Sequence, residues 1–119
     1  VQVEHKATRD SAGIFDESSF AKIKVSGSRA GEFLDFVCAN DVVRGVGRAV
    51  YTQALNTKGG IEGDFTVTQM SEDSFLIITG TAFAHHDALC MRGRLGGPGG
   101  GRRYARRMQQ QAPTGPAVA

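Results

Sequence analysis

Between Arg48 and Gly80 the chain passes through three short runs, "RAVYTQALN", "IEGDFTVTQM" and "SFLIITG", separated only by "TKGG" and "SED". Within the runs, β-branched and aromatic residues are interleaved with polar ones, the period of two expected of strands with one buried face. The separators are made of Gly, Ser, Asp, Glu, Lys and Thr, and Gly, Asp and Ser favour tight reversals, so the three strands are expected to form an antiparallel meander. Everything else in the chain has to pack on that meander.

Three further segments have the pattern to do so. "QVEHKATRDSAG" reads as a short helix closed by Gly13, the residue type most common at helix C-termini. "AKIKVSG" alternates Ile23 and Val25 with Lys22 and Lys24, a half-exposed strand, and "SRAGEFLDFVCAND" sets Ala30, Phe33, Leu34, Val37 and Cys38 at helical spacing with Ser28 placed to cap the start. After Gly80, "TAFAHHDALCMR" opens another helix with Thr81 as its cap, and the pattern ends at Arg92. The order helix, strand, helix, three strands, helix predicts an α+β domain over residues 1–91, with helices on a mostly antiparallel sheet.

Residues 92–119 have a different character. The first 91 residues carry 8 Lys/Arg and 12 Asp/Glu, whereas the remainder carries 6 Arg and no acid. "GRLGGPGGGRRYARRMQQQAPTGPAVA" has too few large aliphatic residues to offset the ordering cost of roughly 1–2 kcal/mol per residue, so a disordered tail is expected there. Its glycines lack the Lys-Ser/Thr of a phosphate loop, and although its arginines with Tyr104 resemble an RNA-binding basic segment or one that contacts an acidic partner, a solvated flexible tail is the favoured reading and nucleic acid is not the expected partner. The longest apolar run, Phe75–Ile78, is far shorter than the roughly 20 residues of a membrane-spanning helix. Cys38 and Cys90 form no ligand-type spacing and are expected to be reduced thiols in a cytosol-like compartment. The chain begins with Val1, so a processed or partial protein is expected.

Among chemistry-bearing residues, Asp64 draws most attention, because it stands where the Gly59-Gly60 loop becomes a strand. It reads either as a turn residue or as a working carboxylate. "HHD" at 85–87 with Cys90 offers one helical His/Cys pair, but a zinc site needs about four ligands and no second pair follows, so no metal is expected. Ser18, Ser19 and Cys38 lack the surroundings of a nucleophile such as GxSxG, and a turn or capping role suits the serines better.

The motifs "GIFDESSFAKIKVSG", "YTQALNTKGGIEGDFTV" and "FLIITG", in that order and spacing, resemble the N-terminal part of the folate-binding fold of glycine-cleavage aminomethyltransferases. The "SSFAK" after "FD" is closer to the related folate domain of FAD-dependent dimethylglycine and sarcosine dehydrogenases. The resemblance spans nearly all of residues 1–91 and implies a partial folate-binding domain in a cytoplasmic or mitochondrial-matrix enzyme. It implies tetrahydrofolate as ligand, formation of 5,10-methylenetetrahydrofolate as the reaction, and an FAD domain elsewhere in an intact relative of the dehydrogenase kind. By position it makes Asp64 the carboxylate that faces folate in one-carbon transfer, where it would orient the amine, take up a proton and offset developing positive charge. It places Phe20 against the pterin and Tyr51, Thr66, Leu76 and Ile78 on the cavity wall, although ordinary sheet packing would use these four equally well. The sequence departs from the aminomethyltransferase pattern in three ways: Gly80 replaces an Asn, Glu62-Gly63 precedes Asp64 where a second Asp is usual, and the Arg and Glu that the resemblance implies complete the pocket lie downstream of the residues present. No GxGxxG fingerprint for a dinucleotide occurs. Against this reading stands a non-catalytic interaction module acting through its Arg-rich tail.

Overall fold

A computed structural model of the chain describes residues 1–96 and 107–111, with side chains described over 1–94. Helix α1 (Gln2–Asp10) is followed by strand β1 (Ala21–Ser26), helix α2 (Ala30–Val37) and strands β2 (Ala49–Leu55), β3 (Ile61–Ser71) and β4 (Ser74–Thr79). A 3-10 turn at Thr81–Phe83 leads into helix α3 (Ala84–Gly96), and Arg107–Gln111 forms strand β5. The sheet order is β2-β3-β4-β1-β5, and every neighbouring pair is antiparallel. This is the α+β architecture expected from the alternating runs.

The period of two separates the sheet into a covered face and an open one. Ile23, Val25, Ala54, Phe65, Val67, Phe75 and Ile77 point to the covered face, where they meet Phe33, Leu34 and Val37 of α2 and Ala88 and Met91 of α3. These residues have 0–3% of their surface exposed and make one contiguous core. The spacing of Ala30, Phe33, Leu34 and Val37 supplies the apolar stripe that lets α2 lie on the sheet. Helix α1 buries none of its residues, so it adds little to that core.

The β2–β3 loop is built by Asn56, whose Oδ1 accepts the backbone N–H of Lys58 and of Gly60 at 2.9 and 2.8 Å. Its Nδ2 donates to Glu62. Gly59 turns at φ +80, a left-handed conformation costly for any residue with a Cβ. The loop thereby delivers β3 in a defined register, with Gln53 opposite Asp64 and Tyr51 opposite Thr66.

Several local expectations are corrected. Helix α1 ends at Asp10 with Ser11 as its C-cap, so Gly13 lies beyond it, and no side chain caps α2, whose N-cap is Arg29 rather than Ser28. Thr81 begins the 3-10 turn instead of capping a helix, and its hydroxyl donates to the Ser19 carbonyl. Turn-type residues with free hydroxyls or no side chain are interchangeable at this level, and the tertiary partner decides which one acts.

The expected end of pattern at Arg92 is also passed. Helix α3 continues to Gly96, and Arg94 folds back to donate to the carbonyls of Leu55 and Val37. Five backbone pairs then join β5 to β1, from Lys22–Gln111 to Ser26–Arg107. Residues 97–106 and 112–119, with Tyr104 and the tail side chains beyond Arg94, lie outside the described residues, as does most of the expected disordered tail. No helix among the described residues is long and apolar enough to cross a membrane.

Candidate functional site

The open face of the sheet carries the residues singled out from the sequence. Antiparallel register puts directly opposed residues on the same side. Thus Tyr51, Thr66, Ile78 and Lys22 form one row across four strands, with Asp64 in the row toward the β2–β3 loop. A cavity of about 460 Å³ opens here, lined by Tyr51, Asp64, Thr66, Ile78, Phe20 and Glu17, with Gly80 and Phe83 from the 3-10 turn closing one side. Five of the six expected residues therefore meet in one place. Leu76 does not join them: it is on the same face, opposite Thr68 and Lys24, but one row farther along β4 and outside the cavity lining. Two residues along a strand amount to about 7 Å, enough to take it off the wall.

Asp64 is exposed toward this cavity, and its Oδ2 accepts the Tyr51 hydroxyl at 2.8 Å. The bond runs diagonally between β2 and β3 and fixes the orientation of the carboxylate; Oδ1 has no hydrogen-bond donor among the described residues. Phe20 reaches the site from the segment before β1, which is secured from two sides. Lys22 Nζ donates to the carbonyls of Ser18 and Phe20 at 2.7 and 2.8 Å, and the Thr81 hydroxyl holds Ser19. The arrangement can receive a flat, polar-edged ligand between Phe20 and Ile78 and present one oriented carboxylate to it.

Glu17, Phe83 and Thr79 were not singled out from the sequence. Thr79 belongs by alternation to the covered face and touches the cavity only at the strand end, where Gly80 leaves room. Asp87 was grouped with the neighbouring histidines, yet it is 2% exposed and packs beneath β3 and β4. Burial at that level in a helix, directly after two exposed histidines, had no local signal.

The other constellations resolve differently. His86 places Nδ1 3.1 Å from Asp87 Oδ1 and Nε2 3.9 Å from Glu62 Oε2. Among the described residues no set of three or more His, Cys, Asp or Glu is arranged to hold a metal ion. Cys38 is buried and in no disulfide, and burial, reinforced by Asp35, pushes its thiol up to about 12. A thiol held protonated in this way is a poor nucleophile and metal ligand. Cys90 lies in a separate groove with Phe36, Leu55, Asn56 and Arg94.

An aminomethyltransferase from Chlorobium chlorochromatii is 45% identical over 85 residues, covering 71% of this chain and 23% of the relative. One from Chlorobaculum parvum is 39% identical over 95 residues, covering 79% and 26%. The crystal structure of glycine cleavage system aminomethyltransferase T from Bartonella henselae superposes with a TM-score of 0.65 at 27% identity, covering 81% of this chain and 25% of that one. The chain thus spans about a quarter of the length of the relatives it matches. The family model for the GCVT N-terminal domain matches residues 1–114, and the chain belongs to that family.

Proposed function

We propose that the cavity on the open face binds tetrahydrofolate and that Asp64 is the carboxylate that serves one-carbon transfer in the enzyme of which such a domain forms part. The observation that carries this reading is the convergence of Asp64, Tyr51, Thr66, Ile78 and Phe20 on one 460 Å³ cavity. That volume lies within the range of about 300–1,000 Å³ usual for small-molecule sites. The donor set suits a reduced pterin, with apolar groups at Phe20 and Ile78 for its ring, the Thr66 hydroxyl for its edge, and a carboxylate for its N–H groups.

Bound tetrahydrofolate supplies the nitrogen nucleophiles that accept the one-carbon unit as 5,10-methylenetetrahydrofolate. The chain's contribution is positional and electrostatic. Asp64 accepts from Tyr51 and so points its carboxylate along a fixed line, ready to hold an N–H of the ligand, take up a proton released there and offset positive charge on the incoming amine carbon. The "SSFAK" segment around Phe20 favours an N-methyl amine oxidised by a separate FAD-bearing domain as the one-carbon source, as in dimethylglycine or sarcosine dehydrogenases. The aminomethyl donor of glycine cleavage is the alternative.

Calorimetric titration of the 119-residue chain with tetrahydrofolate tests the binding half of the reading. Tyr51→Phe removes one hydrogen bond to a charged group, worth about 1.5–3 kcal/mol at most, and is expected to weaken binding by roughly tenfold or more while leaving the fold intact. Equal affinity for parent and Tyr51→Phe would show that the Tyr51–Asp64 pair is not part of the site.

A further inference from the structure

Behind Asp64, on the covered face, lies a polar group that neither the cavity nor the core requires. Asp87 of α3 is almost fully buried and accepts the hydroxyl of Thr79 through Oδ2. Its Oδ1 lies 3.1 Å from His86 Nδ1 and sits over Gly63, where an added Cβ would stand only 2.8 Å from it. The Thr79 oxygen is in turn 3.5 Å from the carbonyl oxygen of Asp64. The β3–β4 ladder ends at the Thr66–Ile78 pair, so Gly63 and Asp64 continue past its last backbone pairing. On the β4 side they are met by the Asp87–Thr79 pair instead.

Burying a carboxylate is unfavourable, and an apolar residue of similar size fills such a space without that penalty. The pair touches residues 63 and 64 where the ladder has stopped. The hydrogen bond to the Asp87 carboxyl oxygen ties down the Thr79 hydroxyl, which makes Thr79 a fixed stop for the Asp64 peptide. Gly63 allows the carboxylate to approach, consistent with a glycine between Glu62 and Asp64.

We propose that Asp87 and Thr79 are positioning residues that set the height and direction of the Asp64 carboxylate from the opposite face of the sheet. The proposal rests on Asp64 being the folate-facing group. It is tested by a double-mutant cycle on tetrahydrofolate affinity in the 119-residue chain. Thr79→Val, which keeps shape and loses the hydroxyl, is expected to weaken binding about five- to tenfold, and Thr79→Ser to restore it to within about twofold. In an Asp64→Asn background the same Thr79→Val change is expected to alter affinity less than about twofold. Equal losses in both backgrounds would mean a general structural role and would overturn the proposal. Asp87→Leu, which removes the acceptor of the Thr79 hydroxyl and keeps the side-chain size, replaces Thr79→Val in the cycle if the latter does not fold, with the same results expected.

If the parent chain binds no tetrahydrofolate, the folate reading fails and the positioning claim is decided by NMR. Thr79→Val must then shift the Asp64 amide and the Tyr51 ring resonances while leaving the Val25 amide unmoved. Unchanged Asp64 and Tyr51 signals would overturn it.

Discussion

Phe75→Ala is expected to remove about 3–5 kcal/mol of stability, the range for truncating a fully buried aromatic ring. Phe75 is 0% exposed at the start of β4, opposite Val25 on one side and Gln69 on the other, and its ring lies 3.4 Å from the position a Cβ would take on Gly31 of α2. It therefore joins the sheet to the helical layer as well as filling space. Domains of this size are stable by only about 5–15 kcal/mol, so the loss takes a large share of the total. Urea unfolding followed by far-ultraviolet circular dichroism checks it: a loss below about 1.5 kcal/mol with an unchanged slope would show that the site collapses and that β4 is not the centre of the core.

Asp64→Asn is expected to leave stability nearly unchanged and to lower one-carbon transfer by about 10²- to 10⁴-fold, the contribution usual for a positioned proton-handling side chain. The change is isosteric and preserves an acceptor for Tyr51, so it isolates the charge and the basicity of the group. Asp64 is exposed and takes no part in the core, which is why the fold should tolerate it. The measurement is 5,10-methylenetetrahydrofolate formation by a chimeric aminomethyltransferase in which residues 1–91 of this chain replace the corresponding segment. If the chimera is active and its Asp64→Asn variant is equally active, Asp64 has no part in the chemistry.

Most of the sheet was legible because it obeys a single periodicity. Alternation along "IEGDFTVTQM" and "SFLIITG" determines which residues share a face, and two short turns leave little freedom in the register. Tyr51, Asp64, Thr66 and Ile78 were picked out as site residues by the resemblance, and alternation along the strands is what puts them on one surface. Leu76 obeys the same rule and shares the face, but alternation does not say where along a strand a cavity ends. Phe20 also came from the resemblance, and no alternation supports it, since its segment has no regular period and is held by Lys22 and Thr81 through backbone carbonyls. Asp87 and Thr79 were not legible because their role depends on α3 crossing beneath a strand end. That is a contact between elements brought together by the fold, with no local signature. The strand β5 fell in a segment whose composition argues against order, and its pairing with β1 is a property of the sheet edge rather than of the segment.

The central claim, that the open-face cavity is the folate site, is tested most directly by mapping tetrahydrofolate onto the chain through amide chemical shifts. The expected result is perturbation confined to residues 64–66, 78–81, Tyr51 and the segment around Phe20, with the groove of Phe36, Leu55 and Cys90 unaffected. Perturbation centred on that second groove, or none at saturating ligand, would contradict the account.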